Sequence, residues 1–123
     1  MPVSVAPPGW PDNVRPPGAP DWDVTAVAYL FDCCPADFRG YRVLRHHPLV
    51  LAQFAEHFVE GQCRAVQEGL AAVRTSLRGQ VRPDVVDTAA EIWLEQGAAL
   101  MRTRRAVGLI AQALRGRTFL ARL

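Results

Sequence analysis

The sequence predicts an all-α protein: a long antiparallel helical hairpin, completed to a three-helix bundle by a short N-terminal helix and preceded by an extended proline-rich arm. Three observations predict it. Apolar residues recur at three- and four-residue steps over 48–78 and again over 83–115. Only Gly79-Gln80-Val81-Arg82 separates the two stretches, and so short a connection makes consecutive helices antiparallel neighbours. Seven of the ten prolines fall within the first twenty residues, where fixed φ angles and missing donors favour extended chain. At 123 residues the chain suits one domain, divided into an arm (1–20), a bundle (21–115) and a tail (116–123).

In the arm, Trp10 and Val14 are apolar handles for pinning it to the bundle. Asp21 or Asp23 is placed to cap a first helix over about 22–34, which runs through Val24, Val27, Ala28, Leu30 and Phe31. Pro35 stops it. The connector to Pro48 reads as a loop with at most one helical turn, and Pro48 itself suits the first turn of the next helix.

The second helix, 48–78, sets Leu51, Phe54, Phe58, Ala65, Val66, Leu70, Val73 and Leu77 against a polar side of Gln53, Glu56, His57, Glu60 and Arg64. The third, 83–115, spaces Val86, Ala90, Trp93, Gly97, Leu100, Arg104, Val107, Ala111 and Leu114 in the alternating fours and threes of a coiled-coil seam. Folding one on the other makes opposing residue numbers sum to about 162. Large then meets small: Gly69 receives Trp93, Gly108 receives Phe54, and Ala65 lies against Gly97. A mid-helix glycine costs about 1 kcal/mol relative to alanine, so these glycines read as holes for the aromatic rings. Arg104 falls in the seam opposite Phe58, where its stem can cover the ring while its head reaches Glu60.

The third helix carries more apolar surface than one partner covers. Ile92, Ala99, Ala106, Ile110 and Ala113 lie off the seam, and with Phe119 of the tail they form the candidate interaction surface, for another protein or for a second copy in a homodimer.

Composition excludes several classes of chemistry. All fourteen basic residues are Arg, so a phosphate-loop lysine, a Schiff base and a lysine general base are ruled out. A net charge of +2 does not demand a polyanionic partner. The densest charged stretch, Phe38 to His47, offers Arg39, Arg42, Arg45 and His47 as an anion-binding cluster for a phosphate or a nucleic-acid backbone. The competing reading is a solvated connector whose arginines meet nearby carboxylates. Cys33-Cys34 and His46-His47 are adjacent pairs, without the spacer that lets two ligands reach one tetrahedral ion, so no metal site is expected. Ser4 and Ser76 lack nucleophile-elbow glycines, and no dinucleotide fingerprint or His-Glu-x-x-His is present. No catalytic residue and no cofactor is therefore assigned. The N-terminus lacks the basic start and apolar run of a secretory signal, no window is long and apolar enough to span a membrane, and three cysteines make an odd count. These features lead to the expectation of a cytoplasmic protein.

The runs Pro16-Pro17-Gly18-Ala19-Pro20-Asp21-Trp22 and Arg39-Gly40-Tyr41-Arg42-Val43-Leu44-Arg45-His46-His47-Pro48 resemble those of small, uncharacterised, Arg-rich helical proteins of GC-rich actinobacteria. The resemblance spans nearly the whole chain. It implies a bacterial cytoplasmic setting and assigns no activity to any residue. The sequence points first to a non-catalytic interaction or scaffold protein acting through its hairpin, and second to a nucleic-acid or phosphate-ligand module acting through 38–47.

Overall fold

Pro48 and Pro83 each open a long helix, the position where a ring-locked φ fits and a missing N–H costs nothing. In the computed structural model, which describes residues 6–116, the elements are α1 (Trp22–Asp32), a 3-10 turn (Ala36–Gly40), α2 (Arg42–His46), α3 (Pro48–Ser76) and α4 (Pro83–Leu114). The protein is all-α, and its framework is the antiparallel α3–α4 hairpin, with rods of 29 and 32 residues about 45 Å long. The hairpin turns at Gly79, whose φ of 80° is left-handed. Gln80 and Val81 return their N–H groups to the Leu77 carbonyl at 3.0 and 3.2 Å, which satisfies the end of α3. This end is called the tip below.

The core lies at the opposite end. There α1 settles on α3, and Leu30, Leu51, Val59, Val107 and Ile110 are all less than 2% exposed. Ala26 and Phe31 of α1, Leu44 of α2 and Val14 of the arm complete it. Towards the tip the hairpin is a bare pair, with Val66, Val73 and Ala90 as its buried residues.

The small-to-large expectation holds at one end and fails at the other. A Cβ at Gly69 would stand 2.5 Å from the Trp93 ring, so the ring fills the hole left by the missing side chain. Gly97 packs against Val66, one position from the expected Ala65. Gly108 does not receive Phe54, for nothing lies within 4 Å of a Cβ built there. Phe54 turns instead to the α1 side of the hairpin and packs edge-on against Phe38, ring centroids 6.1 Å apart. Arg104 reaches Glu60 at 3.0 Å as its place in the seam suggests.

The described part of the arm, from Ala6 on, is not extended. Trp10 donates to the Pro7 carbonyl and Ala19 to that of Pro16, with Gly9 and Gly18 at φ of 93° and 86°. Each Pro-Pro-Gly run is thus a β-turn with proline and glycine in the two central places that favour them. Val14 is buried, and the Trp10 indole donates to its carbonyl at 3.0 Å. The arm packs on its own bundle. Asp21 precedes α1 with φ at 61° and makes no side-chain cap. The Thr25 hydroxyl instead ties arm to helix, accepting from the Arg15 N–H and donating to the Trp22 carbonyl. The connector is more ordered than a loop with one turn, since it holds both the 3-10 turn and α2.

Candidate interaction surface

One line of α4, spaced by threes and fours, runs 85, 89, 92, 96, 99, 103, 106, 110, 113 and lies beside the seam. Away from the tip it is covered. Ile110 joins Leu30, Phe31 and Val14 in the core, and Ala106 lies at the arm beside Trp10 and Tyr29. Ala106, Ile110 and Ala113 are therefore corrections to the expected surface, being 3%, 0% and 7% exposed. α1 and the arm supply the cover that the hairpin partner could not, and periodicity alone does not say on which side they fall. Ala99 is half-buried at the margin, while Ile92 is 56% exposed. Phe119 lies outside the described residues. The open part of the line is its tip half, Val85, Ala89 and Ile92, faced across the hairpin by Ala65 and Ala72 of α3, with Trp93 half-buried between the rods.

Where α1 stops, a cavity of about 520 Å³ opens into this groove, lined by Tyr29, Cys33, Cys34, Gln62, Leu100 and Thr103 among others. The Thr103 hydroxyl donates to the Ala99 carbonyl at 3.1 Å. Burial raises the Tyr29 phenol, and the neighbouring Cys33 adds to the shift. Burial, then Cys34 and Asp32, push the Cys33 thiol up to about 11. Burial likewise raises Cys34, against the pull of Arg39. A thiol so held stays protonated at neutral pH and is a poor nucleophile. Beside it, Phe38 gathers Tyr41, Phe54 and Phe58 within 5.4–6.1 Å, and all but Phe38 are more than a third exposed. Sequence reasoning missed this cluster because the aromatics come from the connector and from α3, and nothing in helical spacing joins them.

The expected anion-binding residues do not converge as a set. Arg39 pairs with Asp32 and lies over the Phe31 ring at 5.9 Å, and Arg45 donates to the Arg39 carbonyl. The Arg39 contacts hold the connector to α1, and the Arg45 contact folds the connector on itself. Arg42 and His47 are exposed. Among the described residues, no three of His, Cys, Asp and Glu are grouped to hold a metal, and no helix is long and apolar enough to cross a membrane. Comparison with protein-family models, curated proteins and solved structures gave no match.

Proposed function

We propose that this chain is a non-catalytic interaction protein whose hairpin offers a docking groove to another protein. One observation carries the reading. α1 is 11 residues long beside a 29-residue α3, so the groove it occupies runs on uncovered towards the tip with Ile92 and Val85 exposed beside Trp93. An amphipathic helix laid end to end with α1 would fill that groove as α1 fills the rest, anchoring apolar side chains at three- and four-residue steps. The α1-end cavity and the aromatic cluster beside it are the kind of pocket and residue that dominate binding energy at interfaces. The raised cysteines and the small, alanine-rich sides of the groove favour recognition by shape.

The test is photo-cross-linking in the cells that naturally make the protein, with a photoreactive amino acid at Ile92, at Val85 or, as control, at the exposed Arg64. Discrete adducts to one other protein from Ile92 and Val85, and not from Arg64, are expected. Adducts equal from all three positions, or none from the groove, would refute the docking role.

A further inference from the structure

The hairpin has a second face, on the other side of the seam from α1, with large exposed apolar residues along it. Three shallow cavities mark it: one at the tip beside Arg74, Arg78 and Asp87, and two adjoining ones in the half away from the tip, which share Arg104 and Gly108 and reach Glu60 on one side and Met101 and Leu109 on the other. Their linings come from α3, α4 and the connecting turn, and no described residue before α3 reaches them. The face has its own seam spacing. On α3 it runs 60, 63, 67, 70, 74, 77, and on α4 it runs 87, 90, 94, 98, 101. Cys63 and Ala90 on it are buried, but its large apolar residues are not: Leu94 and Met101 are 54% and 55% exposed and Leu77 is 36%.

The charges along this face say what covers it. Towards the tip α3 is basic, with Arg74 and Arg78, and α4 is acidic, with Asp87 and Glu91. Among the described residues none of these four forms an ion pair, and the ion pair between the two rods is Arg104 with Glu60. A basic rod and an acidic rod side by side, their charges close enough to line one cavity without forming an ion pair, are complementary to the same face of a second copy. A two-fold axis parallel to the hairpin lays the α3 of one molecule on the α4 of the other at the same height, so that Arg74 and Arg78 meet Asp87 and Glu91 twice. The same operation makes every neighbouring pair of helices antiparallel, the arrangement of an up-down-up-down bundle. A face about 45 Å long and two helix diameters wide offers on the order of 800 Å² per partner, the size of a stable interface.

We propose that a second copy of this chain docks on this face, closing an antiparallel four-helix bundle around Leu70, Leu77, Leu94 and Met101. The groove beside α1 stays open in the dimer, so the two surfaces serve different partners.

Analytical ultracentrifugation of the full chain tests it. The expected species has twice the 13.6 kDa of one chain. Leu94→Glu, at a position already in solvent, leaves the helical circular dichroism unchanged and weakens dimerisation by more than about tenfold. Arg74→Glu with Arg78→Glu dissociates the dimer by like-charge repulsion, and so does Asp87→Arg with Glu91→Arg. Mixing the two charge-reversed proteins restores a heterodimer, which a change in fold does not explain. Ile92→Glu leaves the dimer intact, which separates this face from the docking groove. A monomer at every concentration up to about 100 μM, a dimer lost with Ile92→Glu but kept with Leu94→Glu, or no recovery on mixing would each overturn the proposal.

Discussion

Adding one methyl group at Gly69 tests the packing that sets the register of the hairpin. A Cβ there would stand 2.5, 2.7 and 2.9 Å from three carbons of the Trp93 ring, against 3.4–4 Å for ordinary contact, so the ring must retreat by close to an ångström. Alanine for glycine inside a helix contributes about 1 kcal/mol of propensity. Overpacking a filled site costs about 1–3 kcal/mol, and the partial exposure of Trp93 keeps the value in the middle of that range. Gly69→Ala is therefore expected to destabilise by about 1 kcal/mol net. Gly61, in the same helix, has nothing within 4 Å of a Cβ, and Gly61→Ala is expected to stabilise by about 0.5–1 kcal/mol. The two variants then differ by about 2 kcal/mol in opposite directions from wild type, or about 6–10 °C in Tm for a chain of this size. Thermal and urea melts followed by circular dichroism read the difference, at one fixed protein concentration because association would shift both. A double-mutant cycle with Trp93→Leu should return a coupling of about 1 kcal/mol. If Gly69→Ala stabilises as much as Gly61→Ala, the ring does not occupy the hole and the register argument is wrong.

Val14→Ala should lower stability by about 2 kcal/mol, measured by urea denaturation, because Val14 is 3% exposed in the core; a change below about 0.5 kcal/mol would mean that the arm is detached in solution. The pair between Glu60 and Arg104 joins side chains that are 44% and 51% exposed, so Glu60→Gln should cost less than about 1 kcal/mol, and a larger loss would show a screened, structural ion pair. Raising the Cys33 thiol from 9.0 to about 11 in the fold means the unfolded chain ionises first as pH rises. The stability this contributes is whole below pH 9 and is lost through about 11, so Tm should fall over that window, and less steeply in Cys33→Ala. Iodoacetamide labelling of Cys33, read by mass spectrometry, should stay slow until the same window; rapid labelling at pH 8 would contradict the burial of the thiol. Because Arg39 and Arg45 are engaged within the fold, titration with a fluorescent oligonucleotide should show no steep salt dependence, whereas a slope of several that is reduced by Arg42→Ala would establish a phosphate-binding role for the connector.

What could be read from the sequence divides along physical lines. Helix positions and the Gly69–Trp93 match were legible because seam spacing and the volume of an indole constrain each other locally. The Pro-Pro-Gly turns carried a readable signal, since glycine after proline marks a tight turn, but the number of prolines suggested extension more strongly. Phe54 was misplaced because its partner, Phe38, comes from a connector whose path no periodicity fixes. For the same reason Ile110 and Ala113 looked like surplus surface: an apolar line beside a seam is the same pattern whether α1 covers it or solvent does. The cavity at Cys33 and Cys34 exists only because α1 ends where it does, a tertiary consequence of Pro35.

That ending is what gives the two faces their different chemistry. α1 fills one groove from the arm to Cys33, and Pro35 prevents another turn from covering Ala99 or Ile92. The remaining groove is narrow, small-sided and sparsely charged, so its binding energy comes from apolar burial and it discriminates by shape. The opposite face pairs exposed leucine and methionine with rails of opposite sign. Exposed ion pairs add little affinity, typically below about 1 kcal/mol each, yet a like-charged juxtaposition is costly, so such rails act chiefly by excluding wrong orientations. Docking that ran the α3 of one copy parallel to the α4 of the other would oppose Arg74 to the basic residues near Arg102 and leave Asp87 and Glu91 against the carboxylates Glu56 and Glu60. The antiparallel, tip-to-tip arrangement avoids both, and so the charge pattern disfavours geometries that apolar burial alone would leave free.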